Sequence, residues 1–263
     1  MALTVIASHP ANRGMTKQSP GAVRERLLQS DDLHSLCRGD PAGRPIRACF
    51  SAKGQMMPRS ENPWDDIFKE HGAYFEEPHE DMIHIVLLLY GRKARRVLDL
   101  GCGSGRHVVY LARNHFSVFG LDSSPEGIEL TRTWLKKENL RADLRLQNMT
   151  ALLPFKDNFF DAVISIQVIH HARLAEIRKV VKEIARVLKR NGIVYITVPK
   201  RKNQGETYQE IEPGTFVPLD GLEKGLPHHY FTPEELRELF KDFKITDIHL
   251  DSSEHYCLLA TKS

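Results

Sequence analysis

Apolar and polar positions divide this chain near residue 60. Before that point Pro, Gly, Ser and Arg are frequent and no apolar period holds except around residues 23–28, so residues 1–59 read as a poorly ordered N-terminal extension. Beyond it, short apolar runs alternate with stretches of helical period. Residues 96–100, 116–121, 142–146 and 160–167 have the length and apolar character of buried strands. Between the first two, residues 106–113 carry apolar side chains at helical spacing, and Ser124-Pro125 supplies an N-cap and a first-turn proline for a further helix. From Arg173 to Arg190, the side chains Leu174, Ile177, Val180, Val181, Ile184 and Leu188 fall on one helical face with Lys and Arg opposite, which predicts a helix covering a sheet. Asn191-Gly192 is expected to stop it before a fifth strand at 193–198.

The two ends complete the pattern. Pro63 to His71 predicts a short aromatic helix, and residues 78–90 a longer one closed by Gly91. Thr232-Pro233-Glu234-Glu235 forms a capping box before a helix through Phe240. Strands at 244–250 and 255–261 are joined by a short polar turn, which permits only antiparallel pairing because parallel neighbours need a long crossover. The resulting class is α/β, a mostly parallel sheet with one reversed edge element.

The strand at 96–100 ends in the run Val97-Leu98-Asp99-Leu100-Gly101-Cys102-Gly103-Ser104-Gly105. Glycines at every second position permit backbone angles closed to other residues and clear side chains from a ligand's path. The spacing is GxGxG; a nicotinamide or flavin fingerprint needs GxGxxG, and Arg106 stands where its last glycine belongs. The full run VLDLGCGSGRHVVYLA resembles the first motif of the class I S-adenosylmethionine-dependent methyltransferases. Asp122 at the second strand end, Asn148-Met149 with Leu152-Leu153-Pro154-Phe155, and Phe160-Asp161-Ala162-Val163 follow in the order that family shows.

The resemblance covers about Trp64 to Thr261. It implies a three-layer sandwich with a seven-stranded sheet in the order 3-2-1-4-5-7-6, helices on both faces, and S-adenosyl-L-methionine as cofactor, released as S-adenosyl-L-homocysteine. The domain then spans 60–263, with a helical lid at 60–92 and an acceptor-side loop at 199–231. The implied cofactor-binding residues are Asp99, Gly101, Cys102, Gly103, Gly105, Asp122, Ser123, Asn148, Met149 and Gln167. Asp99 and the glycines serve the methionine end, Asp122 the ribose hydroxyls, Asn148 and Met149 the adenine flanked by 152–155, and Gln167 lies beneath the methyl group. The family has Asp where Asn148 stands, and Asn can accept from the adenine amine through its carbonyl. Trp64, Tyr74 and Phe75 are lid candidates, with plain core packing as the alternative.

Composition narrows the picture. A net charge of +3 is too slight to indicate a polyanion partner. Cys37, Cys49, Cys102 and Cys257 form no CxxC pair, so neither a zinc site nor a disulfide framework is expected, and without CxxxCxxC the radical branch of adenosylmethionine chemistry is excluded. No apolar run approaches the roughly 20 residues of a membrane span, and a cytoplasmic setting is expected. In the extension, Asp31, Asp32 and Asp40 argue against an organelle-targeting segment, and Met56 or Met57 reads as an alternative start.

The acceptor is less legible. The fourth strand ends in Ser165-Ile166-Gln167-Val168-Ile169-His170-His171, with neither the Asn/Asp-Pro-Pro-aromatic segment of exocyclic-amine methylation nor a pyrimidine-attacking cysteine. His170 and His171, the pair His228-His229, and Tyr230 are the catalytic candidates, with Tyr208 and Tyr230 lining an acceptor cavity. Two adjacent histidine pairs also invite a metal reading, but no metal is expected. Residues 221–232 carry a Gly-Leu-Pro-His-x-Tyr-Phe-Thr string similar to one in the family's small-molecule branch, including ubiquinone- and menaquinone-related enzymes. The expected reaction is therefore methyl transfer to an O, N, S or C atom of a small molecule, by a monomer or homodimer. The alternatives are transfer to tRNA, rRNA or protein, with the basic runs 92–96 and 200–202 as docking surface, and a non-catalytic adenosyl-binding partner subunit.

Overall fold

The computed structural model describes residues 62–73, 76–200, 207–221 and 223–263. The expected extension at 1–59, Tyr74, Phe75 and two of the basic residues at 200–202 lie outside them. Along the chain run α1 (Pro63–His71), α2 (Met82–Gly91), β1 (Arg96–Leu100), α3 (Arg106–Arg113), β2 (Ser117–Asp122), α4 (Pro125–Lys137), β3 (Asp143–Leu146) and β4 (Phe160–Ile166). Then follow α5 (Leu174–Val187), β5 (Leu188–Pro199), β6 (Tyr208–Glu212), β7 (Thr215–Pro218), β8 (His228–His229), α6 (Pro233–Leu239), β9 (Phe243–Leu250) and β10 (His255–Lys262).

Seven strands form the main sheet in the order β3-β2-β1-β4-β5-β10-β9. Strand β10 runs antiparallel to both β5 and β9, and the remaining pairs are parallel. Since β9 and β10 are the sixth and seventh strands of this sheet, the order is the expected one. Alternate residues of each central strand feed opposite layers, as the period of two requires. Leu98, Leu100, Val163, Val194 and Ile196 pack with Ile177, Val180 and Ile184 of α5 and Leu236 of α6. Val97, Ala162, Ile164, Ile193 and Tyr195 pack with Met82 and Leu89 of α2, Val108 and Leu111 of α3, and Ile128 of α4. Helix α2 is thus part of the outer layer, and α1 alone of the proposed lid stands near the glycine turn.

Three boundaries differ from the sequence reading. Helix α5 ends at Val187, because Leu188 already pairs with Phe160 and its carbonyl accepts from Lys262 Nζ at 2.7 Å. Helix α2 starts at Met82 rather than 78, and its left-handed C-terminal residue is Lys93, φ 55°, rather than Gly91. The segment 199–231 is not wholly loop: β6, β7 and β8 form a small antiparallel sheet turned by Gly214, φ 79°. Strands this short and polar, such as Tyr-Gln-Glu-Ile-Glu, carry no apolar period to read.

The capping box at α6 is present: Thr232 Oγ1 accepts from the Glu235 amide at 3.2 Å and Glu235 Oε2 from the Thr232 amide at 2.8 Å. Thr232→Ala is expected to cost about 1 kcal/mol. Thermal unfolding should show a midpoint roughly 2–4 °C lower, and an unchanged midpoint would refute the cap's contribution.

Candidate active site

Five parallel strands end at one edge, and the glycine turn lies there. Gly101, Gly103 and Gly105 have φ of 80°, 51° and 95°, the left-handed region that glycine enters without a Cβ penalty. The Gly101 and Cys102 amides both donate to the Leu121 carbonyl, at 2.7 and 3.1 Å, which ties the turn to the end of β2. A Cβ on Gly101 would collide with the Val168 side chain, and one on Gly105 would come within 2.6 Å of Thr131 Oγ1.

Beneath this turn Asp99 is buried, and neither carboxylate oxygen has a hydrogen-bond partner. Burial pushes its acid up to about 7; the neighbouring Arg106 guanidinium opposes the shift and Asp122 adds to it. Asp122 is also raised by burial, against the pull of backbone amides: Gly103 donates to Oδ2 at 2.7 Å and Ser124 to Oδ1 at 2.8 Å. These bonds fix the carboxylate's orientation and leave part of its accepting capacity unused.

Helix α1 docks on that same turn. Asp65 accepts from Ser124 Oγ at 2.8 Å and from the Glu126 amide at 2.9 Å, placing its charge at the N-terminus of α4. Asn62 Nδ2 donates to Ser123 Oγ at 3.2 Å. Phe68 lies over both Gly103 and Gly127, where added Cβ atoms would meet its ring at 3.1 Å. Trp64 meets His171 edge-on with centroids 5.0 Å apart, so α1 bridges the acid side of the site to its histidine side.

The remaining cofactor candidates are placed unevenly. Gln167 closes β4 with φ 60°, an uncommon conformation for a non-glycine residue, and its Nε2 donates to Thr197 Oγ1 at 3.1 Å. Asn148 is at the end of β3, but its Oδ1 already accepts from the amide and hydroxyl of Thr150, both at 2.9 Å. The Cys102 thiol points into the core, packed near Gly120. Phe155 belongs to an aromatic cluster with Phe119, Phe159 and Phe160, Leu153 lies in the core and Met149 packs against it, while Leu152 is exposed.

The histidine pairs divide by strand alternation. His170, His171 and His228 converge, with ring centroids of 3.8 Å for the first two and 4.6 Å between His171 and His228. Tyr230 stacks beside His228 at 6.4 Å, and Tyr208 lies edge-on to Tyr230 at 6.3 Å. His229 points to the other face, hydrogen-bonded to Thr215 Oγ1 at 2.7 Å and packed on Phe231. Burial holds His170 and His171 neutral: His170 is pushed well below the ordinary imidazole value, and His171 down to about 3.

A further pair was not legible in the sequence. Asp251 Oδ2 is 3.0 Å from His255 Nδ1 and 3.1 Å from His79 Nε2, and these contacts outweigh burial to hold its acid far below the carboxylate range. His255 sits opposite Pro199 at the carboxyl end of β5. The spacing Asp251-x-x-x-His255 was the available signal.

Residues 98–196 match the family model described as a methyltransferase domain. The ubiquinone biosynthesis O-methyltransferase of Pelagibacter ubique is 32% identical over 101 residues, covering 38% of this chain and 40% of that protein. The probable tRNA methyltransferase 9B of Mus musculus is 34% identical over 119 residues, 44% of this chain and 24% of the relative. The chain therefore spans under half the length of either. Among solved structures, an S-adenosylmethionine-dependent methyltransferase from Methanosarcina mazei superposes with a TM-score of 0.60 at 24% identity, over 71% of this chain and 98% of that one. Residues 98–196 match a methyltransferase domain, and the fold around them is one shared with S-adenosylmethionine-dependent methyltransferases.

The methyltransferase domain's residues fit the donor this family uses. S-adenosylmethionine carries a sulfonium and an ammonium, and the buried Asp99 carboxylate, without a hydrogen-bond partner beside three glycines that lack a Cβ, is a group that would balance such a cation. Among the described residues no helix is long and apolar enough to cross a membrane.

The acid at position 99 sets a pH dependence. A folded-state value near 7 against an ordinary 3.8 means the ligand-free fold is favoured below pH 4 and loses that advantage as pH rises through 7. Asp122 acts in the same direction. Urea midpoints at pH 5 and pH 8 should therefore differ less in Asp99→Asn than in the wild type; an equal difference would remove Asp99 as a source.

Proposed function

We propose that the domain transfers the methyl group of S-adenosyl-L-methionine to a nucleophilic O, N, S or C atom of a small-molecule acceptor. The observation that carries this reading is the juxtaposition, along one sheet edge, of a buried acid at the glycine turn and a wall of imidazoles and aromatic rings after β4 and in β8. When bound, the donor supplies an electrophilic methyl: the acceptor's lone pair forms the new bond and the carbon–sulfur pair stays on sulfur.

The protein's part is placement, which can supply roughly 7–11 kcal/mol of a barrier. Asp99 and the left-handed glycines receive the methionine end, Asp122 and Ser123 the ribose, Asn148 and Met149 the adenine, and Gln167 lies beneath the methyl group. Neutral His170 and His171 are weak bases, so their role is contact with the acceptor, together with Tyr230 and with His228 in place of His229. Where the acceptor must lose a proton, His255 receives it, its Nδ1 fixed by Asp251 and its Nε2 left to act.

An RNA acceptor is less favoured by the geometry. The exposed run Arg92 to Arg96 precedes β1, so it lies at the amino edge of the sheet, a five-residue strand of about 16 Å away from the glycine turn. At the carboxyl edge, Lys200 is already paired with Glu254 at 2.5 Å. A small acceptor needs no such docking surface.

Incubation with methyl-labelled donor and a cell extract should place label in the small-molecule fraction; label confined to RNA or protein would replace this reading. Asp122→Ala should weaken binding of S-adenosyl-L-homocysteine at least tenfold, read by calorimetry. For an acceptor that must deprotonate, His255→Ala should lower kcat by about 10²–10⁴ with product affinity retained. An unaltered kcat would return the base to another group.

A further inference from the structure

We propose that His170, His171 and His228 form a binding site for a divalent first-row transition metal ion on the acceptor side of the methyl-transfer site. One ring nitrogen from each lies within 4.8 Å of the others. Ligands of a tetrahedral ion with bonds of about 2.0–2.1 Å stand about 3.3–3.4 Å apart, so closure takes a contraction of about 1.5 Å at most, within reach of small side-chain rotations.

The hydrogen-bonding pattern of the three rings is that of a ligand set. His170 is 4% exposed and its Nδ1 is buried without a hydrogen-bond partner. His171 Nδ1 is likewise buried and without one. Two buried ring nitrogens without a hydrogen-bond partner are costly in an apolar interior, and an ion would satisfy both.

His228 adds the third ligand and the strongest constraint. Its Nδ1 is 2.9 Å from the Leu226 carbonyl and its Nε2 is 2.9 Å from Glu223 Oε2. Both partners are acceptors, and a neutral imidazole has a single N–H to offer. With that N–H on the Leu226 carbonyl, a contact that orients many metal-bound imidazoles, Nε2 presents its lone pair toward the Glu223 carboxylate, and a cation there would satisfy both.

Imidazole ligands suit Zn²⁺, Cu²⁺, Ni²⁺ and Fe²⁺ rather than Mg²⁺ or Ca²⁺. Three protein nitrogens leave a coordination position for water or for an acceptor, and a hydroxyl or thiol bound there would give up its proton more readily than a free one, with His255 to receive it. The acceptor class is thereby narrowed to small molecules with a metal-binding oxygen, nitrogen or sulfur beside the atom that is methylated. The ion site stands on these three side chains whether or not methyl transfer is the reaction; the acceptor class rests on the proposed function.

The probe is cobalt(II), titrated into the full chain without donor. One equivalent should give the visible ligand-field absorption of a nitrogen-ligated ion, displaced by one equivalent of zinc(II). His171→Ala and His228→Ala should each weaken binding at least tenfold, while His84→Ala, an exposed position on α2, should not. Binding of S-adenosyl-L-homocysteine, measured in parallel, reports separately on the donor site and shows that each variant is folded. Absence of a cobalt signal in the wild type, or equal affinity in the His171 and His228 variants that retain product binding, overturns the proposal. Should a variant not fold, protection of the His171 and His228 ring signals by zinc in the wild-type NMR spectrum decides it, and unshifted signals count against the site.

Discussion

Everything at this site depends on two backbone amides, those of Gly101 and Cys102, donating to the carbonyl of Leu121. Parallel pairing of β1 with β2 carries both strands to one edge, but pairing alone would let the chain leave β1 in any direction. The shared acceptor makes the turn fold back against the end of β2, and the left-handed angles that this demands are why glycines occupy it. The third amide, of Gly103, then reaches Asp122 and fixes its carboxylate. Geometry at the first strand end and chemistry at the second are a single arrangement.

That arrangement leaves an electrostatic asymmetry. On one side, Asp99 is buried without a hydrogen bond and its charged form is disfavoured by desolvation. On the other, His170 and His171 are buried and kept neutral for the same reason. Low dielectric raises the acid and lowers the bases, so the ligand-free site has little charge to stabilise itself with. A cation at the glycine turn would restore the ionised acid, and an electrophilic ion among the imidazoles would take up their lone pairs. Positive partners would complete both halves of the site.

Helix α1 connects the two halves. Its Asp65 caps the start of α4, its Phe68 fills the space cleared by Gly103 and Gly127, and its Trp64 meets His171. The absence of side chains at two glycines thus serves packing as well as ligand access, because a Cβ at either would press on the same aromatic ring. Helix α1 is tied to the start of α4, the glycine turn and His171, while the layers of the sheet are filled by α2 through α6.

Much of this was legible in the order of residues alone. Runs of apolar residues, the glycine spacing and the short turn between the last two strands are local rules, and they fixed the class of fold, the strand order through the resemblance, and the placement of Asp99, Asp122 and Gln167. What the sequence could not decide was which member of a pair faces where. His228 rather than His229 meets His170 because β8 alternates sides and pairs with β7, a strand of four residues, too short to leave a periodic trace. Phe155 joined an aromatic cluster through Phe119, far away in the chain, and Asp65 and the Asp251–His255 pair reached the site by the same kind of long-range pairing. Local preferences act through neighbours along the chain. Convergence of side chains across the edge of a sheet depends on strand register and layer packing, and those exist only once the whole domain has closed.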